Sequence, residues 1–315
     1  LLVGDVDQLP SVGPGKILRD IIDSGVAAVT VLDEVFRQAQ ESGIVMNALR
    51  INRGEMPAFG TYDDFQFVEA DSDAAVRMVT GGVFRALEKR GFDLLRDVQV
   101  VTPMKKGDAG TEALNRAIQQ RLNPKQDDWE PEYEMKSGLV FRQRDRVMQI
   151  RNDYERDVFN GDLGFIVSVE PHAKRITVDF GDTGIPKVVE YAFGELLENI
   201  MHSFAVTIHK VQGAEYPAVV MVLTNSHYVM LERNLLYTGV TRARSLFCIV
   251  GQKGAIAQAV KNDRPVLRNT RLRQRIQDGM PEPEPAIKKA KPAAKKAKPA
   301  QAAASSPRSR KTNLE

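Results

Sequence analysis

Short apolar runs alternate with amphipathic stretches along most of the chain, and this alternation limits the possible folds more than any other feature. Residues 1–3, 27–32, 65–68, 98–102, 218–223 and 246–250 read as strands, while 16–23, 43–53, 74–90, 111–122, 231–240 and 255–261 carry helical spacing. Strands that are apolar throughout must be covered on both faces, and strand–helix alternation builds stacked βα units around a parallel sheet. The expected class is therefore α/β. Between about 139 and 189 the texture changes. Short runs at 146–150, 164–169, 175–180 and 187–191 are separated by turns such as Asn160-Gly161-Asp162, which describes a small antiparallel β module inserted between α/β elements.

Composition narrows the class further. With 43% apolar residues in 315, the chain can bury the cores of two or three domains. No apolar run approaches the roughly 18 residues that cross a bilayer. Cys248 is the sole cysteine, which excludes an internal disulfide or a cysteine zinc site, and a cytoplasmic setting is expected. The chain opens at Leu1-Leu2-Val3-Gly4-Asp5, without Met and inside an apolar run, so it is expected to be a piece of a longer protein. The net charge of +3 conceals a division: residues 281–315 hold nine Lys and Arg against three Glu, and everything before them sums to −3. That Lys/Ala/Pro segment is too poor in apolar side chains to build a core, and a disordered basic tail is expected over 268–315.

Four constellations carry chemistry. Gly4-Asp5-Val6-Asp7-Gln8-Leu9-Pro10 directly follows an apolar run; at a strand end, an Asp and an amide can orient water and sense a terminal phosphate. Alone, it reads equally well as a polar turn. Arg37, in Val35-Phe36-Arg37-Gln38, follows the run at 27–32, where a guanidinium can stabilise a transferring phosphoryl group; alone, it reads as a surface arginine. Thr207-Ile208-His209-Lys210-Val211-Gln212-Gly213-Ala214-Glu215-Tyr216 gathers a hydroxyl, an imidazole, an ammonium, an amide and a carboxylate beside an apolar strand. Thr207, His209 and Lys210 can grip the phosphates of a nucleic-acid strand, and Glu215 can accept from a ribose hydroxyl. Leu236-Tyr237-Thr238-Gly239-Val240-Thr241-Arg242-Ala243-Arg244 ends a helix. Its two arginines point to different faces, so one can meet a nucleotide, unless both only complement the helix dipole.

In this order the four constellations resemble the later motifs of superfamily 1 helicases. Two further stretches resemble the RecD-like branch: Val101-Thr102-Pro103-Met104-Lys105-Lys106-Gly107 with Gly110 and Asn115, and Asp145-Arg146-Val147-Met148-Gln149 with Asn152 and Phe159-Asn160-Gly161-Asp162-Leu163-Gly164. The resemblance runs from Leu1 to about Arg273. It implies RecA-like, parallel-sheet P-loop NTPase domains: the later part of a first domain over 1–95, a second over 96–137 and 192–267, and an inserted SH3-like β-barrel over 138–191. It implies ATP and Mg²⁺ as cofactors, single-stranded and duplex DNA as partners, work in DNA recombination and repair, and 5′-to-3′ movement. Residue by residue, Gln8 would sense the γ-phosphate, with Asp5 supporting the magnesium and water site. Arg37 and Arg242 would act as fingers on the γ-phosphate, and Gly213 and Glu215 would meet the nucleotide sugar. Thr102, Asn115, Thr207, His209 and Lys210 would contact single-stranded DNA.

One departure matters. The phosphate cradle G-x-x-x-x-G-K-[ST] does not occur; the nearest stretch, Gly15-Lys16, runs on into Ile17. The P-loop and Walker B strand are therefore expected upstream of Leu1, in the missing N-terminal part of the same protein, and this chain alone is expected to be inactive. The alternative is a module that binds single-stranded nucleic acid and hydrolyses nothing.

Overall fold

The computed structural model describes residues 1–10, 13, 15–32, 40–181, 185–263 and 270–279. Arg37 and the basic segment 281–315 lie outside the described residues. In chain order the first elements are α1 (Ile17–Ser24), α2 (Gly43–Asn52), β1 (Phe65–Glu69), α3 (Ser72–Met78), α4 (Phe84–Lys89), β2 (Val98–Thr102) and α5 (Thr111–Leu122). Then come β3 (Glu132–Glu134), β4 (Val140–Arg142), β5 (Arg146–Gln149), β6 (Leu163–Glu170), β7 (Arg175–Asp179), β8 (Val188–Ala192), α6 (Leu196–Asn199) and β9 (Ile200–His202). The last are β10 (Ala205–Thr207), β11 (Tyr216–Leu223), α7 (Arg233–Val240), β12 (Ala243–Gly251), α8 (Lys253–Lys261) and α9 (Leu272–Asp278).

Five strands form one parallel sheet in the order β1-β12-β11-β2-β10. Because side chains alternate across a strand, β11 sends Val219, Met221 and Leu223 into one core and Ala218, Val220 and Val222 into the other. The first core is covered by α2, α7 and α8 through Ile51, Leu236 and Ile256, and the second by α3, α4 and α5 through Ala75, Phe84 and Ile118. This three-layer arrangement is the α/β fold expected, and a helix covers each face because both faces are apolar. Asp71 starts α3 by accepting from the Ala74 N–H at 2.8 Å. The helical run expected over 74–90 is interrupted by a π turn, Val79–Val83. Its wider winding contains Gly81 and Gly82, yet keeps Val79 and Val83 buried.

Several expectations change. Residues 1–3 and 27–32 form no strand: Leu1, Leu2, Val3, Val31 and Leu32 are exposed. An apolar run becomes a strand only where neighbouring strands supply ladder partners, and among the described residues these runs have none. Strand β1, assigned from sequence to a preceding domain over 1–95, hydrogen-bonds in parallel with β12, so 43–95 belong to the same body as 96–131. The 268–315 tail begins with a helix, α9, whose Gln277 Nε2 donates to the Ser24 carbonyl of α1 at 3.1 Å.

The β module is an antiparallel sheet, β8-β7-β6-β5-β9, joined by the β3–β4 hairpin. It therefore extends on both sides of the expected 138–191, from Glu132 to His202. Its core includes Phe141, Ile166, Ile176, Val178, Tyr191 and Leu196. The junction with the main sheet is polar and fully covered. Asp145, with no exposed surface, accepts from Gln119 Nε2 at 2.6 Å, Asn123 Nδ2 at 2.8 Å, the Arg142 N–H at 2.8 Å and His202 Nε2 at 3.1 Å. Next to it, the buried Arg146 guanidinium donates to the Val98 carbonyl of β2 at 2.9 Å.

An Asp145→Ala variant removes the acceptor of His202 Nε2 and of one N–H each on Gln119 and Asn123, whose amides keep only the Val140 and Gln143 carbonyls. It should lose about 3 kcal/mol or more of stability, measured by urea unfolding. A loss under about 1 kcal/mol would show that water replaces the carboxylate and that the junction is not tight.

Candidate functional site

Two edges of the parallel sheet gather the singled-out side chains. At the edge where β11 and β12 begin, segments more than 200 positions apart meet. The Arg242 guanidinium, 6% exposed, is fixed by the Thr238 carbonyl (3.2 Å from Nε) and the Ala214 carbonyl (3.0 Å from Nη1). Its Nη2 donates to Gln8 Oε1 at 3.0 Å. Gln8 Nε2 in turn donates to Asp5 Oδ2 at 3.0 Å, and the same oxygen accepts from Tyr237 Oη at 3.0 Å. Asp5 Oδ1 takes the Asp7 N–H at 3.0 Å. The backbone of this loop is held as firmly as its side chains. The Leu9 N–H donates to Thr238 Oγ1 at 2.8 Å, Gln212 Nε2 donates to the Leu9 carbonyl at 2.7 Å, and Asn52 Nδ2 donates to Asp7 Oδ2 at 2.7 Å.

Asp5, Gln8 and Arg242 are thus brought together as one connected group. Gly213 turns the chain with φ +83° just before β11, and Glu215 lies on the surface, paired with Arg244 at 2.9 Å. Three further members, Tyr237, Thr238 and Gln212, lie inside the quoted motifs but carry no individual role in the sequence reading. Tyr237 and Thr238 stand on an apolar helix, where they read as core. Burial, reinforced by Asp5, pushes the Tyr237 phenol above its ordinary value, so it remains a donor. Among the described residues, no group of three His, Cys, Asp or Glu side chains is placed to hold a metal.

The opposite edge, where β2 and β10 end, carries cations. The turn after β2 exposes Lys105 and Lys106, and it closes on Gly110, where a Cβ would lie 2.5 Å from the carbonyl oxygens of both lysines. Thr207 ends β10, and Lys210 follows on a short 3₁₀ turn, Ile208–Val211, with His209 exposed. Lys210 Nζ donates to Asn160 Oδ1 of the barrel at 2.9 Å. Partial burial, with Lys105 adding to it, lowers the Lys210 ammonium below its ordinary value.

Thr102 and Asn115, expected on this surface, are not available to a ligand. Thr102 has no exposed surface, and its hydroxyl donates to the Ala109 carbonyl at 2.8 Å. The buried Asn115 amide clamps Ala205 from both sides, donating to its carbonyl and accepting from its N–H, each at 2.8 Å. Both support the exposed turn and strand beside them.

Behind Thr102 lies His227, which no motif singles out. Its Nδ1 accepts from the Thr224 N–H at 3.2 Å, so the neutral ring carries its proton on Nε2, which faces Thr102 Oγ1 at 3.5 Å. Burial pushes the imidazole down to about 4, against a smaller opposing effect of the Ala109 carbonyl. An unfolded histidine titrates near 6.5. Stability carried by the neutral ring is therefore complete above about pH 6.5 and is lost as pH falls toward about 4, at up to about 1.4 kcal/mol per pH unit. Urea melts between about pH 7 and pH 5 should show a shallower pH slope in His227→Gln than in the wild type. Identical slopes would remove His227 as the cause.

Comparison with known proteins matches three family models to successive parts of the chain. Residues 114–180 match the ATP-dependent RecD-like DNA helicase SH3 domain, residues 202–250 the UvrD-like helicase C-terminal domain, and residues 1–73 an AAA domain. The chain is 38% identical over 277 residues to the ATP-dependent RecD2 DNA helicase of Deinococcus radiodurans, covering 88% of this chain and 36% of that protein. It is 30% identical over 303 residues to the RecBCD enzyme subunit RecD of Mycobacterium tuberculosis, covering 88% and 48%. It thus spans between about a third and a half of these relatives. A crystal structure of a Pif1 helicase from Bacteroides with ADP-AlF3 and ssDNA is similar at 18% identity and a TM-score of 0.46, covering 83% of this chain and 63% of that one, too loose a likeness to place any residue. With a RecD-like barrel set into a parallel helicase sheet, and the motifs on both sides of it joined in space, the chain belongs to the RecD-like family of superfamily 1 helicases.

Proposed function

We propose that the protein is an ATP-dependent DNA helicase acting in recombination and repair, moving 5′ to 3′. In this reading the chain supplies the second RecA-like domain (43–131 and 203–263), the barrel (132–202) and a segment of the first domain (1–32). The observation that carries the reading is the Arg242–Gln8 pair, 3.0 Å apart and 234 positions apart in sequence. A guanidinium fork fixed by two carbonyls, meeting an amide that is itself oriented by a carboxylate, is suited to recognising a terminal phosphate and stabilising its transfer. Because Arg242 and Gln8 stand on different segments, a phosphate between them couples their separation to its presence, which is how hydrolysis would drive stepping.

Asp5 does not fit as a direct magnesium ligand. Its oxygens take hydrogen bonds from Gln8, Tyr237 and Asp7, so its role is to orient Gln8. The Mg²⁺ and the phosphate cradle of ATP are assigned to the rest of the protein. Glu215 and Gly213, on the same edge, are assigned to the nucleotide sugar. Lys105, Lys106, Thr207, His209 and Lys210 are assigned to the phosphates of single-stranded DNA, with Thr102 and Asn115 as supports. The relatives, an ATP-dependent DNA helicase and a RecBCD subunit by name, support this reading.

In the intact protein, Arg242→Ala should lower the kcat of DNA-stimulated ATP hydrolysis by roughly 10³-fold or more while leaving the Kd for single-stranded DNA unchanged. Arg242→Lys should fail almost as badly, since an ammonium cannot reproduce the fork. Near-normal turnover in either variant would place Arg242 outside the site. The 315-residue chain alone should hydrolyse no ATP above background with DNA present. Turnover by it would reveal a phosphate cradle within these residues.

A further inference from the structure

The barrel displays an aromatic pair that none of the assignments above uses. Tyr154 is 78% exposed and Phe159 38% exposed, on the turn that joins β5 to β6. Large apolar rings left in water on a rigid support call for a ligand. The support is rigid here. Asp153 and Val158 exchange backbone hydrogen bonds at 2.7 and 3.0 Å, and Asp153 Oδ1 caps the N–H groups of Glu155 and Arg156, each at 3.1 Å. Asp162 Oδ2 holds the Phe159 N–H at 2.9 Å. Phe159 sets its ring against that of Tyr154 edge to face, with centroids 5.8 Å apart and planes at 73°, which fixes the orientation of Tyr154 and leaves it open to solvent.

The pair is also connected to the cationic edge. Lys210 Nζ meets Asn160 Oδ1 at 2.9 Å, the Asn160 N–H donates to Asn152 Oδ1 at 2.9 Å, and Asn152 Nδ2 reaches Tyr154 Oη at 3.4 Å. A strand whose phosphates lie on Lys105 and Lys210 therefore has the rings as its next neighbour. The turn itself is not cationic. Arg156 is paired with Asp153 and Glu195, and Lys187 with Asp157, while Glu155 adds a further carboxylate. Carboxylates repel phosphates, so the part of a nucleotide that this turn accepts is the base.

We propose that Tyr154, backed by Phe159, is a stacking platform for one unpaired base of single-stranded DNA, continuing the phosphate track from Lys210 onto the barrel. This rests on the DNA reading given above. Stacking needs a ring face and no particular base edge, so the platform accepts any base.

The test uses the 315-residue chain, a labelled oligothymidine of about a dozen nucleotides and an abasic sugar-phosphate strand of equal length, followed by anisotropy. Tyr154→Ala should weaken oligothymidine binding about 5- to 150-fold, the range for losing one base–aromatic stack. It should leave abasic binding unchanged, and Tyr154→Phe should bind both strands like the wild type. Equal weakening on both strands would mean that Tyr154 only shapes the turn, and no change on either would mean that the rings face something other than DNA; each overturns the platform while leaving the DNA reading standing. A wild-type chain that binds neither strand overturns the DNA reading, and the platform with it.

Discussion

The Asp145 carboxylate is wholly buried, and its partners come from each part it holds together: Gln119 and Asn123 from the end of α5, and His202 from β9. A buried charge is tolerated only when its lone pairs are met. Meeting them fixes where α5 ends, where the barrel begins and where β9 returns from it. With the Arg146–Val98 contact beside it, this joint makes the barrel an integral part of the helicase body. The barrel keeps its position against the parallel sheet because these few donors cannot be rearranged at low cost.

The stretch from Thr207 to Tyr216 is where the two edges come closest in sequence. Thr207 lies level with Thr102 at the end of β2, and Ala218 lies level with Val98 at its start. Since β10 and β11 both run parallel to β2, the residues between them must cross from one edge of the sheet to the other. Lys210 stands near one end of that crossing, while Gln212, which grips the Leu9 carbonyl, stands near the other. A shift of this short segment is felt at both edges. Under the helicase reading proposed above, this segment would link nucleotide state to the grip on a strand.

The fully apolar strands were legible in the sequence because a strand covered on both faces leaves no other pattern, and α5 was found at its observed bounds. Which sheet a strand joins was not legible. β1 reads the same whether it pairs with β12 or with a preceding domain, and residues 1–3 read as strand although they have no neighbour among the described residues. β9 and β10, three residues each, are too short to show a period. Among the singled-out side chains, Asp5, Gln8 and Arg242 were marked by residue type in polar motifs, and the structure brings them into one hydrogen-bonded group. Residue type did not show that Thr102 and Asn115 are buried, their hydroxyl and amide satisfying internal backbone groups. Tyr237 escaped because a tyrosine on an apolar helix looks like packing.

The clamp of Asn115 on Ala205 has a consequence beyond holding a strand. β10 is the outermost strand on its side of the parallel sheet and only three residues long. The edge of a sheet invites any other extended chain to add itself, a step toward aggregation. Here both backbone groups of Ala205 are already taken by the Asn115 amide, and after Thr207 the chain turns at once into a tight coil. Too little free backbone remains for a foreign strand to copy. A side chain that looked like a ligand contact thus works as a stopper, keeping the sheet from growing past its own last strand.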